Sequence, residues 1–350
     1  MRIFHCFLNE SSFVRNDGVL LRKAGPVQDL RLSFRRKWML PFAFLKQLID
    51  LLVRGRKAHV FIIQFAGYHS FLPCLFARLT GKKSVIIAGG TDCVSFPGIG
   101  YGNFYRPFLR TFTRWSYRLC TMIAPKHDSL WDSEYRYDAK EPSRQGIKAF
   151  VPGIDEKYWV IRNGYDITKW TPCPDTVRTP GSFITLSGAF EYPFQVSLKG
   201  IDLILAAAPL FPDCTFTIAG VPPWKKLDVK SDNVHVLPPV NHDELPALFN
   251  RHSFYLQLSM AEGFPNALCE AMLCGCTPIV SGVFSMPEIV GADGYVLEKR
   301  DTELLRRLIE KALRQGPASP EANHRLIAER YPAGRREREL RELIMSLGGR

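Results

Sequence analysis

Acidic residues are scarce in the first third of this 350-residue chain. Residues 1–120 hold 19 Lys and Arg against 5 Asp and Glu, whereas residues 121–350 hold 27 against 29. The whole formal charge of +12 therefore belongs to an N-terminal lobe. A basic lobe calls for an anionic partner: lipid headgroups, a phosphorylated acceptor or nucleic acid. No RNA- or DNA-binding motif accompanies the charge, so nucleic acid is set aside. No run of about 18 uncharged apolar residues occurs, which leaves no candidate for a membrane-spanning helix. No Asp-x-Asp motif offers paired carboxylates to a divalent cation, and neither a metal nor a cofactor is expected. The nine cysteines include only one close pair, Cys274 and Cys276, with no second pair at zinc-ligand spacing. They fall mostly within apolar segments and read as small buried side chains of a reducing cytoplasm. Residues 1–8 read as a strand cut short by Asn9-Glu10, not as a signal peptide. Repeats and low-complexity tracts are absent.

What is present is an alternation of short β-branched runs with longer amphipathic ones, which predicts α/β layers with mainly parallel strands. Strands are expected over 2–8, 59–64, 84–88 and 121–124, and helices over 40–53, 70–79 and 103–119. A Pro/Thr-rich break over 170–181 reads as an interdomain linker. Beyond it, strands are expected over 183–187, 215–219, 234–237, 254–258 and 277–281, with helices over 199–210, 243–251 and 266–274. From Asp301 onward the pattern is helical and charged. The plan is two doubly wound domains facing each other across a cleft, divided as 1–168 and 169–330, with 331–350 a C-terminal helix returning to the first domain.

The most informative stretch is Glu262-Gly263-Phe264-Pro265-Asn266-Ala267-Leu268-Cys269-Glu270. It follows the strand over 254–258. Gly263 permits an unusual backbone angle in the turn, Asn266 is a good helix cap, and Ala267 begins the helix. The first amides of that helix lack partners within it and carry partial positive charge, a natural seat for phosphate. Glu270, one turn in, is placed to bond a ribose diol; Glu262, ahead of the helix, to reach sugar hydroxyls. A plainer reading makes both acids mere complements of the helix dipole. It suits Glu270 but not Glu262, which lies outside the helix. A second element, the loop after the strand over 183–187, carries Gly188, with Lys199-Gly200 following. Such a loop commonly binds phosphates, and Lys199 is placed to neutralise a departing diphosphate.

These segments resemble glycosyltransferase family four of the retaining GT-B enzymes (glycosyltransferases group 1). Four segments carry the resemblance: Ser187-Gly188 with Lys199-Gly200; Arg162-Asn163-Gly164-Tyr165-Asp166; Glu262-Gly263-Phe264-Pro265 through Glu270-Ala271-Met272 with Gly275 and Pro278; and Pro287-Glu288-Ile289-Val290 with Gly294. In the first domain, Gly89-Gly90-Thr91-Asp92 resembles the family's His-Gly-x-Asp loop. Two positions depart from the family pattern: Ala189 stands where an Arg is usual, and Gly89 where a His is usual. His69 and the basic residues of the first lobe are possible substitutes.

The resemblance implies two Rossmann-like domains and transfer of a sugar from a nucleoside diphosphate sugar to a saccharide or lipid-linked acceptor with retention, as in cell-surface polysaccharide or glycolipid synthesis. Glu262 and Lys199 are the implied catalytic residues. Gly188, Gly263, Phe264, Pro265, Asn266, Ala267, Glu270, Leu237, Asp92 and Gly90 are the implied substrate-binding ones, with the base against backbone near 236–239. Two alternatives stay open: another GT-B activity such as a nucleotide-sugar epimerase, and a degenerate subunit that binds nucleotide or a partner without transfer.

Two basic, aromatic stretches complete the reading. One carries Arg106, Arg110, Arg114 and Arg118 at four-residue spacing among Phe, Trp and Tyr. The other runs from Phe34-Arg35-Arg36-Lys37-Trp38 through the apolar 40–53 to Arg54, Arg56 and Lys57. Both have the composition of interfacial anchors, and both equally suit helices packed on their own sheet. The expected location is cytoplasmic, with peripheral binding to the anionic inner membrane face.

Overall fold

The computed structural model describes residues 1–33, 36–188, 190 and 192–348. Phe34 and Arg35, at the start of the second basic stretch, lie outside the described residues. The chain divides into two units. The first comprises Met1–Glu134, Arg144–Arg162 and the C-terminal segment from Gly334; the second comprises Tyr135–Ser143 and Asn163–Ala333.

The first unit is built on five parallel strands: β1 (Ile3–Phe7), β2 (Val27–Arg31), β3 (Val60–Gln64), β4 (Lys83–Ala88) and β5 (Met122–Pro125), in the order β2-β1-β3-β4-β5. Every residue of β1 and β3 is buried, as expected of a parallel sheet covered on both faces. Its helices include α1 (Ser12–Ala24), α2 (Leu40–Val53), α3 (Tyr68–Leu79) and α4 (Pro107–Leu119). Neither α1 nor β2 is expected from the sequence. β2 is an edge strand with only Leu30 buried, so it lacks the apolar run that marks an interior strand. The polar start and internal Gly18 of α1 hide its period. α4 begins four residues later than expected. Pro107, which has no N–H to leave unpaired, sits in its first turn, and Arg106 falls outside the helix. Asn103 instead donates to the Ala66 carbonyl (2.8 Å).

A buried polar network ties the C-terminal helix (Ala333–Gly348) into this unit. Arg336 donates to both oxygens of Asp17, at 2.7 Å each, and to the Ile161 carbonyl at 3.0 Å. Gln64 donates to Asp17 (3.0 Å) and contacts His5 (3.2 Å), whose other ring nitrogen meets Asp29 (2.9 Å). Leu340, Leu343 and Ile344 then complete a core with Ile3, Val60, Ile62 and Val85.

The second unit has six parallel strands: β6 (Thr179–Leu186), β7 (Thr215–Ala219), β8 (Val234–Leu237), β9 (His252–Gln257), β10 (Thr277–Ser281) and β11 (Tyr295–Leu297), in the order β8-β7-β6-β9-β10-β11. β7, β8 and β10 match their expected bounds. β6 starts inside the stretch read as a linker: Pro180 and Gly181 belong to the strand. The helix expected over 199–210 is α5 (Ile201–Ala207), followed by a 3-10 turn at Ala208–Leu210 where Pro209 intervenes. Leu245–Asn250 replaces the longer helix expected over 243–251, and α6 is Asn266–Leu273. Eight of the nine cysteines are buried, Cys173 being the exposed one.

Burial drives the Asp17 carboxyl upward, but the Arg336 guanidinium outweighs it and holds the group below its ordinary range. Asp17→Asn leaves a buried guanidinium without its counter-charge and should cost roughly 3 kcal/mol of stability at neutral pH, read from the denaturant midpoint. The carboxylate's contribution is complete above the ordinary Asp range and is lost as pH falls through the depressed native value. The gap between wild type and variant should therefore narrow in acid.

Candidate functional site

The site in the second unit starts from the end of β9. Tyr255 and Gln257 point to one side of the sheet, and the Tyr255 hydroxyl donates to Gln257 Oε1 (3.1 Å). Gln257 Nε2 donates to Ser259 Oγ (2.8 Å) and to Glu262 Oε1 (3.2 Å). Ser259 Oγ donates to the same Glu262 oxygen (2.9 Å), and Ser281 fixes the Ser259 carbonyl at 2.5 Å. Lys199 Nζ is the third donor to Glu262 Oε1, at 2.6 Å. All three donors converge on one oxygen. Among the described residues, Glu262 Oε2 receives no hydrogen bond, and the side chain is only partly buried.

Gly200 makes the Lys199–Glu262 pair possible. It adopts φ 69°, and a Cβ there would lie 2.2 Å from the Leu258 carbonyl oxygen. The close approach lets Met260 N–H donate to the Leu198 carbonyl (2.8 Å), locking the turn before α5 onto the loop after β9. Gly263, where the sequence allowed an unusual backbone angle, is not among the positive-φ glycines, whereas Gly200 is.

α6 opens behind Pro265, which has no N–H, and no side chain caps it. Asn266, expected as the cap, is the first helical residue. Its side-chain oxygen accepts instead from Asn163 Nδ2 (2.7 Å) and the Tyr165 hydroxyl (2.9 Å). The helix start is thereby left to its backbone amides. Asn266 and Ala267 are partly accessible. Gly263, Phe264 and Pro265 are buried, and the Phe264 ring packs edge-on against Tyr331 at 5.0 Å. These three shape the loop from inside.

Glu270 is 9% exposed and faces His242, whose Nε2 lies 3.5 Å from its Oε1. Lys169 Nζ reaches His242 Nδ1 at 2.8 Å and Asp243 at 2.5 Å, and Trp170 meets the imidazole edge-on at 5.1 Å. His242 thus stands between Lys169 and the Glu270 carboxylate, bonded to the first and in contact with the second. The sequence offers no pattern for this: His242 is a single exposed histidine in the loop after β8. Leu237, at the end of β8, accepts from the amides of Gly220 and Val221 (3.1 and 3.0 Å). Gly188 lies exposed in the loop after β6 with open space beside its Cα. Ala189, at the departure from the family pattern, lies outside the described residues.

Gly90 and Asp92 belong to the first unit. Asp92 is 1% exposed and points inward. Its carboxylate accepts from the amides of Ala66 (2.9 Å), Gly89 and Gly90 (both 3.1 Å) and from the Tyr117 hydroxyl (2.8 Å). It organises the loop with both oxygens engaged. Phe65, at φ 61°, lays its ring over Gly89, 1.9 Å from where a Cβ would stand, so a side chain there would have to displace that ring. His69 does not substitute for the missing imidazole. It is buried, bonded through Nε2 to the Gln64 carbonyl (2.7 Å), and desolvation holds its pKa below the usual value.

Residues 195–331 match the family described as glycosyl transferases group 1. A phosphatidylinositol N-acetylglucosaminyltransferase component from Arabidopsis thaliana is 27% identical over 187 residues, covering 50% of this chain and 41% of that protein. The chain therefore spans less than half the length of this relative. Serotype-specific mannosyltransferase WbdA of Escherichia coli is 37% identical over 71 residues, 20% of this chain and 9% of WbdA. Among solved structures, sucrose-phosphate synthase from Thermosynechococcus elongatus superposes with a TM-score of 0.75 at 12% identity over 99% of both chains. Anabaena HepE in complex with UDP and glucose gives 0.67 at 15% identity, over 99% of this chain and 100% of that one. The fold is GT-B, and residues 195–331, within the second unit, are similar to the glycosyl transferases group 1 family.

Two changes probe this site. Gly200→Ala forces the turn off the Leu258 carbonyl and should destabilise the protein by about 2–4 kcal/mol in thermal or denaturant unfolding. His242→Ala removes the side chain in contact with Glu270. It should weaken binding of a nucleoside diphosphate roughly tenfold by calorimetry, with little change in melting temperature.

Proposed function

We propose that the protein is a retaining glycosyltransferase that takes a sugar from a nucleoside diphosphate sugar and passes it to a saccharide or lipid-linked acceptor. The observation that carries this reading is the asymmetry of Glu262. One oxygen is saturated by Lys199, Gln257 and Ser259, and the other has no protein donor among the described residues. A carboxylate held this way is rigid and still able to accept from sugar hydroxyls.

The other parts follow from charge. In the transfer step the bond between the anomeric carbon and the diphosphate oxygen breaks, and the electron pair leaves with the diphosphate. The acceptor hydroxyl oxygen bonds to that carbon on the same face and gives its proton to the departing diphosphate oxygen beside it. Negative charge grows on the departing diphosphate, where the uncapped start of α6 supplies amide donors and positive dipole. Lys199 has three N–H donors and spends one on Glu262, leaving two for phosphate oxygens. Glu262 orients the donor sugar and offsets positive charge on its ring. Glu270, which contacts His242, holds the ribose diol.

A second reading, nucleotide binding without transfer, is favoured by one observation: Phe65 fills the space a side chain at Gly89 would need. The two readings separate experimentally. A thermal-shift screen of nucleoside diphosphates and their sugars identifies the donor by the stabilisation it confers. Sugar transfer or donor hydrolysis is then measured with that donor. Glu262→Gln should keep the stabilisation by nucleoside diphosphate while turnover falls about a hundredfold to a thousandfold. Wild-type turnover in the variant removes the assigned role. Donor binding by wild type with neither transfer nor hydrolysis establishes the second reading.

A further inference from the structure

The helix α2 of the first unit is inside out. Only Ala43, Gln47 and Leu51, a single stripe at four-residue spacing, are buried, and the middle one is polar, with Gln47 donating to the His69 carbonyl at 2.8 Å. The opposite side carries Phe42, Leu45, Leu48, Ile49, Leu52 and Val53, between 38% and 67% exposed. Trp38, just ahead of the helix, is 64% exposed and stacks edge-on against Phe42. A surface helix of a water-soluble domain ordinarily turns such residues to the core and its polar residues to water. So large a contiguous apolar face marks an interaction surface.

The face extends across the neighbouring helices. The Phe112 ring of α4 touches Phe44 of α2 (5.5 Å) and Tyr68 and Phe71 of α3 (5.2 and 5.4 Å), so the three helices form one layer. On this layer Phe108 is 80% exposed and Leu79 77%.

The charge around the face selects its partner. Residues 36–118 contain thirteen Lys and Arg and two acids, Asp50 and Asp92. Asp92 is buried. Asp50 is already contacted by Lys46 (3.5 Å) and Arg54 (3.3 Å). Lys46, Arg54, Arg56 and Lys57 are exposed beside the apolar stripe. A second copy docked symmetrically would bring these cations against their own counterparts. An anionic bilayer surface satisfies both features, taking the apolar side chains at the acyl boundary and the cations at the headgroups. Among the described residues no helix is long and apolar enough to cross a membrane. We propose that the α2 face is a peripheral docking surface for an anionic lipid bilayer, with Phe42, Leu45, Ile49 and Leu52 inserting. The proposal rests on no residue of the donor site, so it stands or falls separately from the activity assigned above.

The test is flotation of the full chain with vesicles of phosphatidylglycerol and phosphatidylcholine, set against phosphatidylcholine alone, at low and moderate salt. Wild type should float with the anionic vesicles, weakly with the neutral ones, and less as salt rises. The exposed double variant Phe42→Ser/Ile49→Ser should retain its melting temperature and its response to nucleoside diphosphates while vesicle affinity falls about tenfold or more. Arg56→Glu/Lys57→Glu should lose chiefly the preference for anionic lipid. No flotation of wild type at low salt overturns the proposal, as does wild-type affinity in the Phe42/Ile49 variant. A dimer in sedimentation that dissociates in that variant, without vesicle binding by wild type, assigns the face to a second copy instead.

Discussion

The contact between Gly200 and the Leu258 carbonyl decides the geometry around Glu262 and Lys199. The loop after β9 and the turn before α5 follow neighbouring strands, β9 and β6, that are far apart in sequence, and a single methyl group between them would hold them apart. With glycine in place, the backbone bond from Met260 to Leu198 closes and Lys199 reaches Glu262. The carboxylate is then braced from behind by a chain of donors running Tyr255, Gln257, Ser259. Each member is fixed by strand β9 or by the loop it leads into, so the site is organised before any ligand arrives. A preorganised site does not have to reorient its dipoles as charge develops, which is where such arrangements derive their catalytic advantage.

Much of this was legible in the residues, and the exceptions have physical causes. The bounds of α2, β7, β8 and β10 follow directly from hydrophobic period. Two edge strands did not: β2 with its single buried Leu30, and β11 with only Leu297 well buried, lack the continuous apolar signal of interior strands. At the site, Glu262 and Glu270 stood out in the sequence as carboxylates flanking a strand–turn–helix junction, and Lys199 as a lysine beside Gly200 ahead of another helix. The supporting residues were not. Asn266 has the composition of a cap, but the tertiary partners Asn163 and Tyr165 claim its side chain. Gly263 and Gly200 are equally glycine in sequence, and only the approach of a distant strand end shows which one must be. His242 acquires meaning solely through Lys169 and Glu270, 73 residues upstream and 28 downstream of it.

The first unit distributes polar and apolar groups against expectation twice. At the sheet it buries an Asp–Arg pair, matched on both oxygens and supported by Gln64, which fastens the C-terminal helix. Burying two charges confers little net stability over an apolar contact of the same size, but it penalises any other seating of that helix, because either charge alone in the core is costly. On α2 the exception runs the other way, with apolar side chains in water and a glutamine facing inward. The buried pair is fully satisfied within the unit. The wet apolar face is not, and a face left unsatisfied in an otherwise well-packed layer is the feature that asks for an external partner.

The same distinction separates the carboxylates. Asp92, Asp17 and Glu262 are all engaged by several donors, and number of contacts does not tell their roles apart. What does is how the contacts divide between the two oxygens. Asp92 accepts on both, from three amides and a tyrosine hydroxyl, and is closed to solvent. Asp17 is gripped on both by one guanidinium. Each is complete, and adding a ligand would mean breaking bonds already made. Glu262 concentrates its donors on Oε1 and keeps partial exposure. A further donor reaching Oε2 adds a hydrogen bond without displacing one. That asymmetry leaves Glu262 an oxygen open to a partner, whereas Asp92, the sequence's candidate in the first unit, has both oxygens engaged within its own loop.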